Sequence, residues 1–424
     1  MTAAVACCFV FGCFAGRLAL RCADRFVRDE TLFAAGMPPA GFLAGLKFEL
    51  ALSARSVRST WADVADVPPR ERALWQAMRP WHHLPLVGRW LPGNPYRCGS
   101  FGVELRRWGV ELLTAGLFAA VAYVDLSGFV TPVDAALRAA VPADAAAHWC
   151  LLVGHLVLVW GLVVATLTDL ETMTIPDGST VPTGLFAVAF ATLSGRLIPV
   201  PVWFADASFS ALVTGGPPAA PGAAVPAWVA SSPHVHGFVA SVVGLFVGGG
   251  IVWVVRVLGG WALGREAMGF GDVILMAMIG AFLGWQAVAA VFFLAPACAC
   301  VGLVLTKTLR PSSEFPYGPS LAAGAVLLIL AWPYVWPSVE RACLLGPLLL
   351  VVAVTMTALL AVLLLLMRLL KRLAGLDDDV WYDDPPGRAN VAPASVSDGW
   401  GRGEDWPGVA AASGRRGLRA WRGE

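Results

Sequence analysis

The sequence predicts an all-α fold, a polytopic bundle of transmembrane helices, and three observations support this fold class. Hydrophobic residues make up 58% of the 424 residues and charged residues only 14%, whereas soluble domains are about one quarter charged. Mean hydropathy is +0.70, and apolar windows long enough to cross a bilayer recur along the chain. Finally, lysine and arginine are confined to a few segments between these windows. The formal net charge of +1 excludes a broad basic field, so nucleic acid is not an expected partner.

The apolar windows predict about nine spans. Eight windows have spanning length, and they lie at 2–19, 108–124, 149–168, 178–196, 236–255, 287–306, 318–336 and 342–367. A shorter window covers 273–285 and is the sixth of the nine in chain order. Residues 273–306 carry no charge, and at about 1.5 Å per residue this stretch is too long for one helix across a bilayer. We therefore expect a break at Gly284-Trp285.

The distribution of lysine and arginine predicts the orientation. With the N-terminus outside and the C-terminus cytoplasmic, all but three of the 30 basic residues fall in predicted inside segments, as the positive-inside rule requires. The exceptions are Arg138, Arg196 and Arg341. No basic residue precedes the first apolar window, whereas Arg17 and Arg21 follow it. This order is typical of an uncleaved first span and differs from that of a signal peptide.

The predicted spans and their orientation divide the chain into four regions. They are a first span at 1–19, a cytoplasmic loop region at 20–107, a transmembrane core at 108–367 and a cytoplasmic tail at 368–424. The tail combines glycine, aspartate, arginine and proline with few branched apolar residues, a composition that predicts disorder. The predicted location is a membrane, with several passes through the lipid bilayer.

Two aspartates stand at the borders of apolar windows. Asp169 ends the third span, and Asp272 precedes the sixth directly after Gly269-Phe270-Gly271. Carboxylates at such positions are costly to keep and are functional candidates by default. The predicted topology puts both at the cytoplasmic membrane face. The structural alternatives are a helix end that faces lipid headgroups for Asp169, and a glycine-rich turn that caps the sixth span for Asp272.

Neighbouring residues are candidates for supporting roles. Asp177 follows Pro176 and precedes the fourth span, where it could cap the helix or support catalysis. Gly269 and Gly271 let the backbone adopt conformations that other residues avoid, so they and Phe270 are expected to shape the surroundings of Asp272. Glu111 and His155 lie within apolar windows, and interhelical hydrogen bonding is the preferred interpretation for both.

Two carboxylates brought together would form a water-activating pair. Close carboxylates cannot both ionise easily, so they share one proton. The ionised member acts as a general base on water, and the protonated member donates to the scissile carbonyl oxygen. Such a reaction needs neither a metal nor a nucleophilic side chain. Asp169 and Asp272 are far apart in sequence, so they must meet through packing of the third and sixth spans.

These motifs resemble those of the type IV prepilin leader peptidases, bacterial inner-membrane aspartic proteases of the GxGD type. The resemblance rests on the D…PD segment from Asp169 to Asp177, on Gly269-Phe270-Gly271-Asp272, and on Phe315-Pro316-Tyr317-Gly318-Pro319, which is similar to an (I/F)PFGP segment. It implies that Asp169 and Asp272 are catalytic. It also implies that the substrates are prepilins or pseudopilins of type IV pilus and type II secretion systems, cut between a short basic leader and an apolar helix.

The resemblance also bears on cofactors. Family members often carry two CxxC pairs in the first cytoplasmic loop as a zinc site, whereas this loop offers only Cys98, with Cys22 far upstream beside the first span, so zinc is not expected. Many members also methylate the new N-terminus, and S-adenosylmethionine is implied only if this chain retains that activity. A lysine commonly follows the GD pair by two positions, where this chain has Ile274.

Two other functions remain open at this stage. Intramembrane carboxylates also serve ion pathways, so an ion-coupled transporter is one alternative, although both carboxylates are expected at one membrane face and the chain shows no internal repeat. The other is a non-catalytic assembly factor descended from the peptidase, which the presence of both aspartates argues against.

Overall fold

The computed structural model describes residues 1–34, 85–86, 101–128, 130, 132, 134–141, 144–214, 222–263, 268–309 and 316–373. Most of the predicted loop region and the predicted disordered tail therefore lie outside the described residues. The described residues are mainly helical, as apolar windows of this length predict. The helices before the first strand are α1 (Thr2–Ala34), α2 (Phe101–Leu126), α3 (Ala135–Ala140), α4 (Ala145–Thr172) and α5 (Asp177–Ser194).

The second half of the chain adds a small sheet and eight more described helices. The segment after α5 contains β1 (Ala205–Asp206), α6 (Ala207–Thr214), β2 (Ala223–Ala224) and α7 (Ala227–Ser231). The apolar helices that follow are α8 (Pro233–Leu263), α9 (Phe270–Leu283), α10 (Trp285–Leu309), α11 (Gly318–Leu330), α12 (Trp332–Cys343) and α13 (Pro347–Leu373).

Fewer helices have full spanning length than the nine predicted. In the described residues, five helices are long and apolar enough to cross a bilayer, and a sixth is counted if the bent pair α11–α12 forms one span. These five are α1, α2, α4, α8 and α10. The chain is thus a multi-pass membrane protein, while nine spans and the orientation of the termini stay predictions.

The expected break after the sixth window is present. Helix α9 ends at Leu283, Gly284 adopts a φ of 82°, and α10 begins at Trp285. The left-handed region is open to glycine at little cost, so Gly284 allows a sharp change of direction inside a continuous apolar stretch. The sequence therefore located this break correctly.

Two local predictions were wrong. The window at 318–336 is not one straight helix, because the chain turns by 95° between α11 and α12. Proline at position 333 supplies no backbone N–H and cannot continue α11 through this point. In addition, the connection at 198–235 contains a two-stranded antiparallel sheet in which Ala205 pairs with Ala224, so the described fold is not entirely helical.

The chain forms two compact units. Within the described residues, the first comprises Met1–Tyr123 and Val159–Ser179, and the second comprises Val124–Leu158 and residues from Thr180 onward. In the first unit, α1 packs closely on α2: a Cβ on Gly12 would lie only 2.6 Å from the Cα of Ala115. A small apolar core joins α1 to the end of α4; its buried members are Ala19, Leu20, Cys22, Ala23, Val164 and Leu167.

In the second unit, α8 and α9 cross with their backbones in contact. A Cβ on Gly244 would overlap the carbonyl oxygen of Gly280, and a Cβ on Gly280 would overlap the carbonyl oxygen of Gly244. One turn further along α8, a Cβ on Gly248 would overlap the carbonyl oxygen of Met276. Small residues at membrane helix crossings permit this close approach, which strengthens van der Waals packing.

A buried carboxylate organises the elements around α12. Glu340 accepts hydrogen bonds from the backbone N–H of Asp134 at 2.7 Å and from the indole N–H of Trp336 at 2.6 Å. The rings of Trp332 and Trp336 stack with centroids 4.5 Å apart. Both oxygens of the buried acid are therefore satisfied, as burial of a charge requires.

A second buried polar contact joins α2 to α4. His155 Nδ1 lies 2.9 and 3.0 Å from the two carboxylate oxygens of Asp125, and both side chains are almost completely excluded from solvent. The expected interhelical hydrogen bond of His155 is therefore present.

Replacing Gly244 by alanine should destabilise the second unit, because the new methyl group meets the backbone of α9. We expect a loss of about 1–3 kcal/mol in unfolding free energy, the usual cost of overpacking. Gly250 is the matched control, since it lies on the same helix and a Cβ there would meet no atom within 4 Å. Thermal unfolding of both purified variants in detergent is the measurement, and equal melting temperatures would contradict the close crossing.

Replacing Asp125 by leucine should lower the unfolding free energy by about 1–3 kcal/mol, because it leaves a buried imidazole without its partner. The double variant Asp125→Leu/His155→Leu should cost less than the sum of the two single changes. Denaturant unfolding of the four proteins in detergent measures this coupling, and strictly additive costs would show that the two side chains do not interact.

Candidate active site

The first candidate aspartate lies in the last turn of α4. Asp169 is only 5% exposed in a helix with no basic residue in its final turn. Hydroxyl groups on either side bond back into the helix, Thr168 to the carbonyls of Val164 and Ala165 and Thr172 to the carbonyl of Thr168. A buried carboxylate thus sits among polar groups at the end of an otherwise apolar helix.

The chain leaves α4 immediately after this turn. Met173 has a φ of 55°, in the left-handed region that costs a residue other than glycine about 1 kcal/mol. Its N–H still donates to the carbonyl of Asp169 at 2.9 Å. The helix therefore ends within four residues of the carboxylate.

Ion pairs anchor the same end of the helix to its neighbour in the first unit. Arg106 of α2 pairs with Glu171, two residues after Asp169, and Arg107 of α2 lies 3.7 Å from Asp24 of α1. These charges lie beside the apolar segments of the three helices.

Asp177 occupies a different environment from the other two aspartates. It is the first residue of α5 and therefore lies one position beyond the predicted N-cap. The Asp177 carboxylate is exposed and lies in the first turn, where the helix dipole favours a negative charge. This environment fits a role in helix initiation, or a supporting role, better than it fits the role of a buried catalytic group.

The second candidate aspartate is the third residue of α9. Gly269 is the N-cap residue, with φ −67° and ψ 152°, and the Asp272 carboxylate accepts a hydrogen bond from the Gly269 backbone N–H. This contact is the side of a capping box in which the third helical residue reaches back to the N-cap. Asp272 is 7% exposed, so GxGD delivers a buried carboxylate to the helix start.

The two glycines act differently from the expectation. Neither Gly269 nor Gly271 has a positive φ, and a Cβ on Gly269 would make only an ordinary contact, 3.5 Å from Asp272 Oδ2. Residues other than glycine can therefore adopt the backbone conformation of this turn. The two glycines leave space beside the carboxylate, and the half-exposed Phe270 lies between them.

Two side chains near Asp272 come from other elements of the second unit. Arg256 of α8 places its Cζ 5.6 Å from the centre of the Phe270 ring, and its positive charge acts on the Asp272 carboxylate. Tyr317 immediately precedes α11, and burial, followed by the negative charge of Asp272, raises the pKa of its phenol. Tyr317 belongs to the segment Phe315-Pro316-Tyr317-Gly318-Pro319, which resembles (I/F)PFGP. Arg256 was missed, since its only sequence signal was its place in an inside segment.

Glu111 is a structural anchor in the first unit. Its carboxylate accepts a 2.6 Å hydrogen bond from the N–H of Leu86 and lies 3.8 Å from a nitrogen of Arg17. Trp108 donates to the carbonyl of the same Leu86 at 2.9 Å. The expected interhelical hydrogen bond of Glu111 is thus replaced by a bond to a loop turn, with the ion pair to α1 beside it.

The predicted site residues fall in both units. Asp169 and Asp177 belong to the first unit, and Gly269, Phe270, Gly271 and Asp272 belong to the second. Among the described residues, no group of three or more histidine, cysteine, aspartate or glutamate side chains could hold a metal ion. The described positions hold two buried carboxylates at helix ends, Asp169 and Asp272.

Comparison with known proteins identifies the segment that carries the second aspartate. Residues 219–305 match the type IV leader peptidase family. A prepilin leader peptidase/N-methyltransferase from Aeromonas hydrophila is 30% identical over 252 residues, which cover 58% of this chain and 66% of the relative. One from Burkholderia pseudomallei is 39% identical over 99 residues, 22% of this chain and 32% of the relative.

A third relative extends the match. The prepilin leader peptidase/N-methyltransferase of Pectobacterium carotovorum subsp. carotovorum is 26% identical over 276 residues, 62% of this chain and 77% of the relative. No solved structure matches the chain. The GxGD motif lies inside residues 219–305, the segment that matches the type IV leader peptidase family, and the chain spans just under two thirds of the length of the Aeromonas hydrophila relative.

Proposed function

We propose that this chain is a membrane aspartic endopeptidase that removes the short basic leader from type IV prepilins or pseudopilins at the cytoplasmic face of a bacterial inner membrane. The observation that carries the proposal is the placement of two buried carboxylates, Asp169 and Asp272, at the ends of apolar helices. The second of them lies inside the segment that matches the leader peptidase family.

Two-carboxylate catalysis requires the two groups to come within about 4–6 Å of one another. They then share one proton, and the ionised carboxylate removes a proton from water as it attacks the scissile carbonyl carbon. The protonated carboxylate donates its proton to the carbonyl oxygen. The tetrahedral intermediate collapses when the leaving amine receives a proton, which completes hydrolysis without a metal or a covalent enzyme intermediate.

The depth of the carboxylates suits the proposed substrate. A prepilin would lie with its apolar helix in the bilayer and its basic leader in the cytoplasm, so the bond to be cut is at the membrane border. Asp169 and Asp272 occupy borders of apolar helices of this chain, and the first turn of α9 offers two glycines beside its carboxylate. An extended peptide backbone could approach such a turn closely.

Methylation of the mature N-terminus would be a second, separable activity. The names of the relatives include N-methyltransferase, and the donor in this chain would be S-adenosylmethionine. The predicted loop region contains Cys22 and Cys98, which are far apart, and therefore no CxxC pair. The mass of the processed substrate distinguishes cleavage alone from cleavage followed by addition of a methyl group.

Asp169→Asn and Asp272→Asn should each reduce prepilin cleavage by at least about 100-fold, because each removes a group that must hold or release the shared proton. Leader removal from a co-expressed prepilin is the measurement, with membrane insertion of each variant checked in parallel. Asp144→Asn is the matched control: Asp144 is an exposed aspartate that pairs with Arg196, and its loss should leave cleavage unchanged. Normal processing by either catalytic variant would count against the assignment.

The proposed orientation predicts opposite results for two C-terminal fusions. With a cytoplasmic C-terminus, a green fluorescent protein fusion should fluoresce and an alkaline phosphatase fusion should be inactive. An active phosphatase fusion would show that the tail is exported, which would contradict an odd number of spans with the N-terminus outside.

A further inference from the structure

The packing of α8 on α9 brings one arginine to the first turn of α9. The glycine contacts pair Gly244 with Gly280 and Gly248 with Met276, so each step of four residues along α8 moves one turn closer to the start of α9. The next step reaches Val252, which is completely buried, at the level of Asp272. Arg256 follows one turn later, and its guanidinium lies over the ring of Phe270 at 5.6 Å.

The charge of this arginine faces the candidate catalytic carboxylate. Asp272 accepts a hydrogen bond from Gly269 and feels the positive charge of Arg256, while the uncharged Ile274 occupies the position two residues later. From the other elements, Tyr317 and, beside it, the thiol of Cys298 face the same region. Within the described residues around Asp272, the cation thus comes from a neighbouring helix.

We propose that Arg256 is a positioning residue for the cleavage reaction, held over Phe270 and favouring the ionised form of the Asp272 carboxylate. This inference rests on the proposed function. A nearby positive charge stabilises a carboxylate in a low-dielectric setting. Burial favours the neutral Asp272 acid, and the hydrogen bond from Gly269 and the charge of Arg256 oppose that effect. In a pair that shares one proton, Arg256 therefore favours the state in which Asp272 is the ionised general base and Asp169 is the acid that polarises the scissile carbonyl.

Phe270 has a defined part in this arrangement. An aromatic face attracts a guanidinium through its negative quadrupole, and the ring belongs to the same helical turn as Asp272. The ring therefore restrains the arginine beside the carboxylate. Substitution by leucine would keep the apolar character of position 270 and remove the attraction, whereas tryptophan would preserve it.

The test compares Arg256→Leu, Arg256→Lys and Arg256→Gln in the full-length protein, with cleavage of a prepilin measured across a pH range in detergent or vesicles. Arg256→Leu and Arg256→Gln should lower kcat by about 10- to 100-fold with little change in KM. The acidic limb of the pH–rate profile should move to higher pH, because the carboxylate loses the cation that favours its ionised form. Arg256→Lys should restore most of the activity and return the limb toward its original position.

Two further variants separate positioning from folding. Arg341→Leu removes an exposed arginine whose guanidinium bonds the carbonyl of Pro337, and it should leave both kcat and the pH profile unchanged. Phe270→Leu should reduce kcat less than Arg256→Leu, and Phe270→Trp should retain activity. Melting temperatures report on folding in every case.

The outcomes distinguish the two levels of the proposal. If the wild-type chain cleaves prepilin and Asp272→Asn does not, but Arg256→Leu keeps the kcat and pH profile of the wild type, the role of Arg256 is wrong and the peptidase assignment stands. A loss of kcat in Arg256→Leu with an unshifted profile and no rescue by lysine would also overturn it. If the wild type does not cleave prepilin, the proposed function itself fails.

Discussion

The close crossing of α8 and α9 is the constraint on which the rest of the second unit depends. At Gly244 and Gly280 each backbone occupies the space that the other's Cβ would need, so the two helices cannot slide or rotate without losing contact. Dispersion between closely packed backbones supplies much of the attraction between helices in lipid, where the hydrophobic effect between them is absent. This fixed register determines which α8 residue faces the first turn of α9, and therefore the surroundings of Asp272.

The buried acids of this chain differ in the partners that they have. Two buried acids of the second unit have partners suited to burial: His155 for Asp125, and an indole with a backbone N–H for Glu340. The ion pairs of Arg106 and Arg107 lie instead at the ends of helices. Asp272 belongs to neither class, because it is buried at a helix start and faces a guanidinium and a phenol rather than one dedicated partner. Such an environment is typical of a carboxylate that must change its protonation state during a reaction.

The sequence predicted the helical membrane fold and the two border aspartates because both depend on local composition. Apolar windows translate directly into helices, and Gly284 marked a break that only a flexible residue could make. The bend between α11 and α12 was missed, since the window at 318–336 stays apolar through the turn and hydropathy carries no information about direction. The β1–β2 pairing was missed because each strand has two residues, too few for any periodicity.

The candidate site was predicted only in part for a similar reason. Asp169 and Asp272 are conspicuous as charges beside apolar runs. Arg256 is sixteen residues before Asp272, and nothing local connects them; the link arises only when glycines set the register between two helices. Likewise, Glu111 was expected to bond another helix, but its strongest partner is the backbone of Leu86 in a segment whose pairing has no sequence signal.

The shortness of two neighbouring helices has a consequence for how a hydrolase can work at this depth. Helices α9 and α11 contain 14 and 13 residues, which at about 1.5 Å each gives roughly 20 Å, against a hydrocarbon core of about 30 Å. They pack against one another; Asp272 lies in the first turn of α9, and Tyr317 directly precedes α11. A hydrophobic helix shorter than the hydrocarbon core is accommodated by thinning of the bilayer, by snorkelling of flanking residues or by association with other helices. Where the bilayer thins over this pair, water, the second reactant in any peptide hydrolysis, has a shorter path to the level of the carboxylate.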